Sequence, residues 1–457
     1  MAVAPDSLPA RVAACLERHV SEGRLTVGYS GGLDSSVLLH LLAGFRQTRP
    51  ATLNFSSNFS PIFSFNAVHV HHGLSPQADA WAQHCAQTCL ALDVALETHY
   101  VEVKPTGEGL EAAARNARYR VYAQLDTDFL LLAHHRDDQA ETVLLQLLRG
   151  AGMKGLAAMP EARWLNETRL LLRPLLTTTR VDIAAWARER GIRWVEDESN
   201  RDTRLTRNAL RHSALPSLVE RFPDAPRALA QAAVQFAEAA VMLDELADLD
   251  GREAIDATGL AIPVLSALPE PRARNLLRRF LACASVELHH AALCEALRQL
   301  LQARQDAQVR VDFGAVSLRR YRQRAILTPT QPLHESESAQ WEIRWQGEAC
   351  LDLGRAGRLY FNPVIGEGVN LVVGRTSIRS RLGGERIRLA PNRPRRTLKN
   401  LLREAGIAAW RRQLLPLLYV EETLAWVADI GADCDYLAKP GQPGWLISWQ
   451  APQSTEA

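Results

Sequence analysis

Seven cysteines in 457 residues are too few and too scattered for a disulfide framework, and no two stand in CxxC spacing. Cys85 and Cys89 lie four apart in an expected helix, which fits reduced thiols better than a zinc site. No run approaches 18 uncharged apolar residues, so no membrane-spanning helix is expected. No basic region leads into an apolar stretch at the N-terminus, because Glu17, Arg18, Glu22 and Arg24 interrupt it, so no secretory leader is expected either. Together these absences point to the cytoplasm. Charge of one sign is also missing: 53 Lys+Arg against 51 Asp+Glu leave +2, and this average says nothing about partners. No long internal repeat is visible. The remainder, 47% apolar and 23% charged, is an ordinary globular composition, with length for about three domains.

The distribution of charge says more than its sum. Between 375 and 412 twelve Lys/Arg stand against Glu385 and Glu404 alone. Arg201, Arg204, Arg207 and Arg211 form a second basic cluster. Each is either a solvated face or a surface for a phosphate-rich partner.

Apolar runs at 25–29, 65–71, 94–103, 129–134 and 170–172 read as strands. Helical patterns at 35–45, 76–92, 108–125 and 137–148 separate them, the second with Ser75 as N-cap and Pro76 at its first position. Strand and helix in alternation predict a parallel, Rossmann-like α/β sheet whose ligands bind beyond the C-terminal strand ends. Residues 51–66 are a Phe/Ser-rich insertion in a connection that is usually short. The expected domains are 1–215 (α/β, catalytic), 216–330 (mainly helical, with helices at 227–249, 272–284 and 289–304 and strand-like pieces at 308–327) and 340–450 (α+β). A Pro/Ser/Glu-rich linker at 328–338 precedes the last, which holds short strands at 342–345 and 371–373 and a helix at 397–405.

Ser30-Gly31-Gly32-Leu33-Asp34-Ser35-Ser36 follows the first strand and opens a helix. Glycines let the backbone approach a ligand and take positive φ, and free N–H groups at a helix start attract an anion. Ser30, Ser35 and Ser36 add hydroxyl donors. Asp34 is a carboxylate among phosphate donors, and its expected task is to hold Mg2+. No Lys follows the glycines, so this is not the GxxxxGK[ST] loop.

The loop resembles that of the N-type ATP pyrophosphatases. Val68-His69-Val70-His71-His72-Gly73-Leu74, Glu111-Ala112-Ala113-Ala114-Arg115-Asn116-Ala117-Arg118-Tyr119 and Ala133-His134-His135-Arg136-Asp137-Asp138-Gln139-Ala140-Glu141-Thr142 narrow the resemblance. So do Gly152-Met153-Lys154-Gly155-Leu156, Arg173-Pro174-Leu175, Asp197-Glu198-Ser199-Asn200 with Arg207-Asn208 and Arg211, Gly383-Gly384-Glu385-Arg386-Ile387 and Leu398-Lys399-Asn400-Leu401-Leu402. Over nearly the whole chain these are similar to the tRNA(Ile)-lysidine synthetases.

The resemblance implies a ligase that uses ATP to adenylate O2 of the wobble cytidine of a CAU-anticodon tRNA(Ile). Free L-lysine then attacks C2 and displaces AMP, so that codon reading changes from AUG to AUA and identity from Met to Ile. It implies ATP contacts at 30–36, beside which His69 is a candidate contact; no membrane and no obligate protein partner is expected. Lysine must lose a proton to attack, and carboxylates can orient it and help take that proton. Asp138 and Glu141 are the candidates, with Asp137 either a helix cap or a third site group. Arg115 is the candidate for stabilising charge that grows in the transition state. Arg118 and Lys154 are each a substrate contact or a solvated side chain, and the His69, His71, His72 cluster either borders the nucleotide or packs in the core. Arg207, Arg211, Arg395, Arg396 and Lys399 are the candidate tRNA contacts. The alternative within the same loop family is a tRNA thiolase, which carries sulfur on cysteine pairs that this chain lacks. Asparagine synthetase chemistry needs a cysteine where Ala2 stands. A non-catalytic nucleotide or RNA-binding module would have no need of Asp34, Asp138 and Glu141.

Overall fold

The computed structural model describes residues 7–20, 22–47, 65–104, 109–198, 202–304, 309–330, 341–408 and 410–451. The insertion expected at 51–66 lies outside them up to residue 64, as do Ser199, Asn200, Arg201 and most of the 328–338 linker. Contacts divide the chain into two compact units, 1–246 and 247–457.

The first unit runs α1 (Leu8–His19), β1 (Leu25–Gly28), α2 (Leu33–Gln47), β2 (Phe65–His71), α3 (Ala78–Ala91), β3 (Ala95–Tyr100), α4 (Leu110–Tyr122), β4 (Phe129–Leu131), α5 (Arg136–Leu148), α6 (Met153–Leu156), β5 (Ala162–Trp164), β6 (Leu170–Leu172), α7 (Arg180–Glu189), α8 (Thr206–Ala209), α9 (Leu215–Arg221) and α10 (Ala225–Gly251), the last crossing into the second unit. One sheet, ordered β3-β2-β1-β4-β6-β5, is parallel except for the edge strand β5. Its central strand Leu25–Gly28 is buried throughout, as a strand covered on both faces must be. One face packs Val12, Leu38, Leu42 and Ile183 from α1, α2 and α7, and the other packs Val121 and Tyr122 of α4. At Gly28 a Cβ would stand 2.5 Å from Leu132 Cδ2 and 2.9 Å from the Tyr122 hydroxyl, so α4 needs a glycine beneath it. From β1 the chain first builds outward through β2 and β3, then returns to place β4 on the other side of β1. Ligands bind in such sheets at this switch point, beyond the strand ends.

The five expected strands are present, and the structure adds β5. The helix expected from Pro76 starts at Ala78 instead. Ser75 accepts the Gln77 N–H on its hydroxyl at 3.1 Å and the Ala78 N–H on its carbonyl at 3.1 Å, closing a turn ahead of the helix.

In the second unit helices Ile262–Ala267, Glu270–Ala282 and His290–Gln302 cover a five-stranded antiparallel sheet, whose strands Ile255–Asp256 and Gly259–Ala261 carry no strong sequence pattern. Leu260, Leu276, Leu297 and Leu318 form their core. A separate core of Trp345, Phe361, Leu402 and Leu418 joins the antiparallel C-terminal sheets and helix Leu398–Glu404. The strand expected at 371–373 is not formed. Val372 and Val373 are exposed ahead of a turn in which Gly374 takes a φ of 79°, and the strand begins at Thr376.

Candidate functional site

Residues 29–32 link the end of β1 to the start of α2. Gly31 has a φ of +81°, and a Cβ there would press on Cys85 Sγ at 3.0 Å and Val195 Cγ2 at 3.1 Å. Gly32 needs no left-handed backbone; a Cβ there meets only Ser30 Oγ, at 3.4 Å. The loop is laced by its own hydroxyls. Ser35 Oγ donates to Gly32 O at 3.1 Å and lies 3.0 Å from Ser30 Oγ. Ser36 is fully buried and donates to Gly31 O at 3.3 Å, so its hydroxyl shapes the loop from beneath. Leu33 is buried in the core and anchors the helix start.

Asp34, in the first turn of α2, keeps Oδ1 buried without a partner, while Oδ2 lies 3.7 Å from His135 Nε2. Burial raises its pKa, against the pull of His135. An unpartnered carboxylate oxygen suits a hard cation, so Asp34 fits the role of Mg2+ ligand.

His135, which the motif contained but the sequence reading gave no role, is the N-cap of α5. Its backbone N–H donates to Asp138 Oδ2 at 3.0 Å while its Nδ1 accepts from the Asp138 N–H at 3.4 Å. The expected alternative that Asp137 caps this helix is therefore corrected: Asp137 instead accepts the N–H of Arg180 at 2.9 Å and ties α5 to α7. His135 sits between Asp34 and Asp138, whose Oδ2 is 3.4 Å from Nε2. The switch-point loops of β1 and β4 are thus joined through one imidazole.

Asp138 and Glu141 are buried, and both meet the arginines expected to contact RNA. Arg207 reaches Asp138 Oδ1 at 3.1 Å and Glu141 Oε2 at 2.9 Å; Arg211 reaches the same Asp138 oxygen at 3.0 Å and Glu141 Oε1 at 2.5 Å. The two arginines come from α8 and from the π-helical turn Leu210–Ala214 that follows it. Such turns recur at functional sites. Burial alone would raise the Asp138 pKa; His135 and then Arg207 outweigh it and bring it down to about 2. Arg204 takes no part and pairs with Asp202 at 2.8 Å.

Arg115 lies on α4, 3.5 Å from the Tyr119 hydroxyl. His69 is buried against Tyr29 O at 3.0 Å, and burial lowers its pKa. His71 pairs with Asp79 at 3.0 Å, and His72, lowered to about 4 by burial and then by Arg118, keeps a buried Nδ1 unpartnered. Lys154 pairs with Asp244 at 2.8 Å. Cys15, His19 and Glu161 also cluster, but Arg18 already holds Glu161 at 2.8 Å and its charge opposes a cation there. In the second unit Arg396 pairs with Glu404, Arg395 with Asp435 at 3.3 Å, and Lys399 is exposed.

The family model described as a PP-loop domain matches residues 7–218. A TilS substrate binding domain matches 260–326, and a TilS substrate C-terminal domain 376–449. A tRNA(Ile)-lysidine synthase of Nitrosomonas europaea is 40% identical over 438 residues, covering 94% of this chain and 92% of that protein. Proteins of the same name from Ralstonia nicotianae (40% identical; 97% and 96% covered) and Alkalilimnicola ehrlichii (41% identical; 96% and 97% covered) are similar along nearly their whole length.

Proposed function

Because the chain belongs to the tRNA(Ile)-lysidine synthase family of PP-loop ligases, we propose that it joins free L-lysine to C2 of the wobble cytidine in a CAU-anticodon tRNA(Ile). Cytidine O2 attacks the α-phosphorus of ATP and pyrophosphate leaves. The lysine ε-nitrogen, once deprotonated, attacks C2, and AMP departs with the former O2. The result turns an AUG-reading tRNA into one that reads AUA.

One observation carries this reading: Asp34 of the phosphate loop and the Asp138–Glu141 pair meet through His135. A nucleotide held by the loop and an amine drawn by the carboxylates would therefore meet at one crevice. The N–H groups of 31–33 and the α2 dipole receive the pyrophosphate end. Ser30, Ser35 and Ser36 hold that loop in shape, and His69 supports it through Tyr29. Asp34 would hold Mg2+, whose charge would offset the repulsion between this carboxylate and the phosphates. Arg115 offers a guanidinium to charge growing on the transferred phosphate. A carboxylate held near a pKa of 2 is a weak base, so Asp138 attracts and orients the lysine ammonium rather than keeping its proton. Asp137 fixes the α5 terminus on which these groups stand. Arg207 and Arg211 hold the carboxylates from one side, and with 24% of each side chain exposed they remain open to an RNA phosphate.

Three functional parts follow, 1–215 for catalysis and 216–330 and 340–450 for the tRNA body, supported by the separate cores around Leu276 and Leu402. Arg395, Arg396 and Lys399 are the proposed tRNA contacts of the last. A thiolase reading is disfavoured because burial pushes the Cys85 and Cys89 thiols up to about 12 and 11, which leaves them poor nucleophiles. Among the described residues no helix is long and apolar enough to cross a membrane, and all seven cysteines are free, which supports the cytoplasm.

The test is pyrophosphate release with ATP, Mg2+, lysine and CAU-anticodon tRNA(Ile), each omitted in turn. Release is expected to require the tRNA, and radiolabelled lysine to enter it. Release without tRNA, or a product free of lysine, overturns the reading.

A further inference from the structure

Around Tyr119 the site above leaves two cations, Arg163 and Arg173, without a task, next to Arg115. Tyr119 is half-buried on α4. The Arg115 guanidinium carbon stands 5.0 Å from its ring centroid and that of Arg163, on the edge strand β5, 5.7 Å. Arg173, just beyond β6, is only 2% exposed; its Nη1 donates to Pro160 O at 2.6 Å and its buried Nε has no partner. No described carboxylate lies within ion-pair distance of Arg115, Arg163 or Arg173, whereas Arg207 and Arg211 each have two. Burial lowers the Arg173 pKa, and the neighbouring Arg163 and Arg115 lower it further, against the Tyr119 hydroxyl. A buried guanidinium without a counter-charge is costly, and mutually repelling ones more so, unless an anion arrives to neutralise them.

We propose that Arg115, Arg163 and Tyr119, backed by the buried charge of Arg173, form a subsite for a backbone phosphodiester of the RNA substrate beside the reacting nucleotide. This rests on the reading of tRNA as the substrate. The alternative anion, the ATP polyphosphate, is anchored after β1. Strand β5 lies three places from β1 in the sheet, about 14 Å at the usual spacing between strands. Because β5 is antiparallel, its first residues lie at the C-terminal ends of its neighbours, where the crevice opens: Ala162 pairs with Leu172. Arginines on the backbone phosphates position RNA loops whose bases are splayed out. Arg115 then stands between the two anions, and Arg163 belongs to the RNA alone.

The test is Arg163→Gln in the full-length protein, a change at an exposed position. Direct tRNA binding is measured against salt, together with the KM values for tRNA and ATP. We expect tRNA affinity and KM to worsen five- to tenfold and the salt slope to fall by somewhat less than one phosphate's worth, roughly 0.7–0.9. Arg163→Lys should restore most of the slope, and the KM for ATP should stay within twofold. Unchanged tRNA affinity and slope overturn the subsite, as does a raised KM for ATP with tRNA binding intact. Because binding is read directly, a wild-type protein that binds tRNA but never attaches lysine defeats the functional reading and leaves the subsite standing.

Discussion

Arg211 grips Glu141 through two nitrogens, Nε on Oε1 at 2.5 Å and Nη2 on Oε2 at 2.9 Å. Glu141 is 2% exposed, so its charge depends on this grip and on Arg207. Removing one partner of a buried pair strands the other, which costs about 3 kcal/mol. Arg211→Met should destabilise the first unit by that order, whereas Glu141→Gln with Arg211→Met should cost much less than the two single changes together. Chemical unfolding of the three variants gives the coupling. Strictly additive losses would mean that the contact contributes nothing.

This pairing marks where sequence reading ran out. The loop 30–36 was legible because its chemistry lies within seven consecutive residues, and Asp138 and Glu141 because helical spacing brings them together. Arg207 and Arg211 lie 66 to 73 positions from those carboxylates, and nothing local shows that a basic cluster folds inward onto them. The same blindness affects the stretch 375–412. Its twelve cations look unopposed in the chain, yet Glu421, Glu422, Asp429 and Asp435 fold back onto Arg375, Arg379, Arg411, Arg388 and Arg395. The role of His135 was within reach: a side chain that can accept a hydrogen bond, placed three residues before an Asp at a strand end, is a capping signal.

Those neutralised arginines lead to a prediction for the C-terminal part. Arg396 pays its charge to Glu404, while Lys399 is exposed. Glu404→Gln should therefore tighten tRNA binding about twofold or more by releasing Arg396, and Arg395→Ala with Arg396→Ala should weaken it with a shallower salt slope. Filter binding across a salt series checks both. A Glu404→Gln variant that binds no better than wild type would remove Arg396 from the RNA surface.

Acid stability carries a signature of Asp138. Its folded pKa is lowered to about 2 from the ordinary 3.8, so its contribution to stability is complete above about pH 4 and is lost as the pH falls toward 2. In Asp138→Asn that contribution is gone at every pH. The difference in unfolding free energy between wild type and variant should shrink as acid is added across this window. A constant difference from pH 5 to pH 2 would mean that Asp138 is not held ionised.

For Asp34 the sign is reversed. Its raised pKa and unpartnered Oδ1 mean that the folded chain carries this charge at a cost when no cation is bound. Asp34→Asn removes that cost, so in the absence of Mg2+ the variant should melt above the wild type. Added Mg2+ should stabilise the wild type and not the variant. Pyrophosphate release should be abolished in the variant. A variant that melts lower than wild type without Mg2+ would show that Asp34 serves the fold instead.

The two loop glycines separate folding from ligand approach. At Gly31 the φ of +81° is strained for any other residue, and a Cβ would stand 3.0 Å from Cys85 Sγ. Gly31→Ala should therefore destabilise the protein by about 1–3 kcal/mol, whatever its effect on ATP. At Gly32 the backbone is ordinary and the one neighbour is the Ser30 hydroxyl at 3.4 Å, a side chain able to turn away. Gly32→Ala should melt within 1–2 °C of wild type, since a change of under about 0.5 kcal/mol is typical where nothing is displaced. If a phosphate lies against that backbone, the added methyl will meet the ligand, and the KM for ATP should rise at least tenfold. Melting curves and ATP kinetics on the two variants decide this. A Gly32→Ala protein that keeps both its melting temperature and its ATP affinity would mean that the nucleotide does not approach the loop at Gly32.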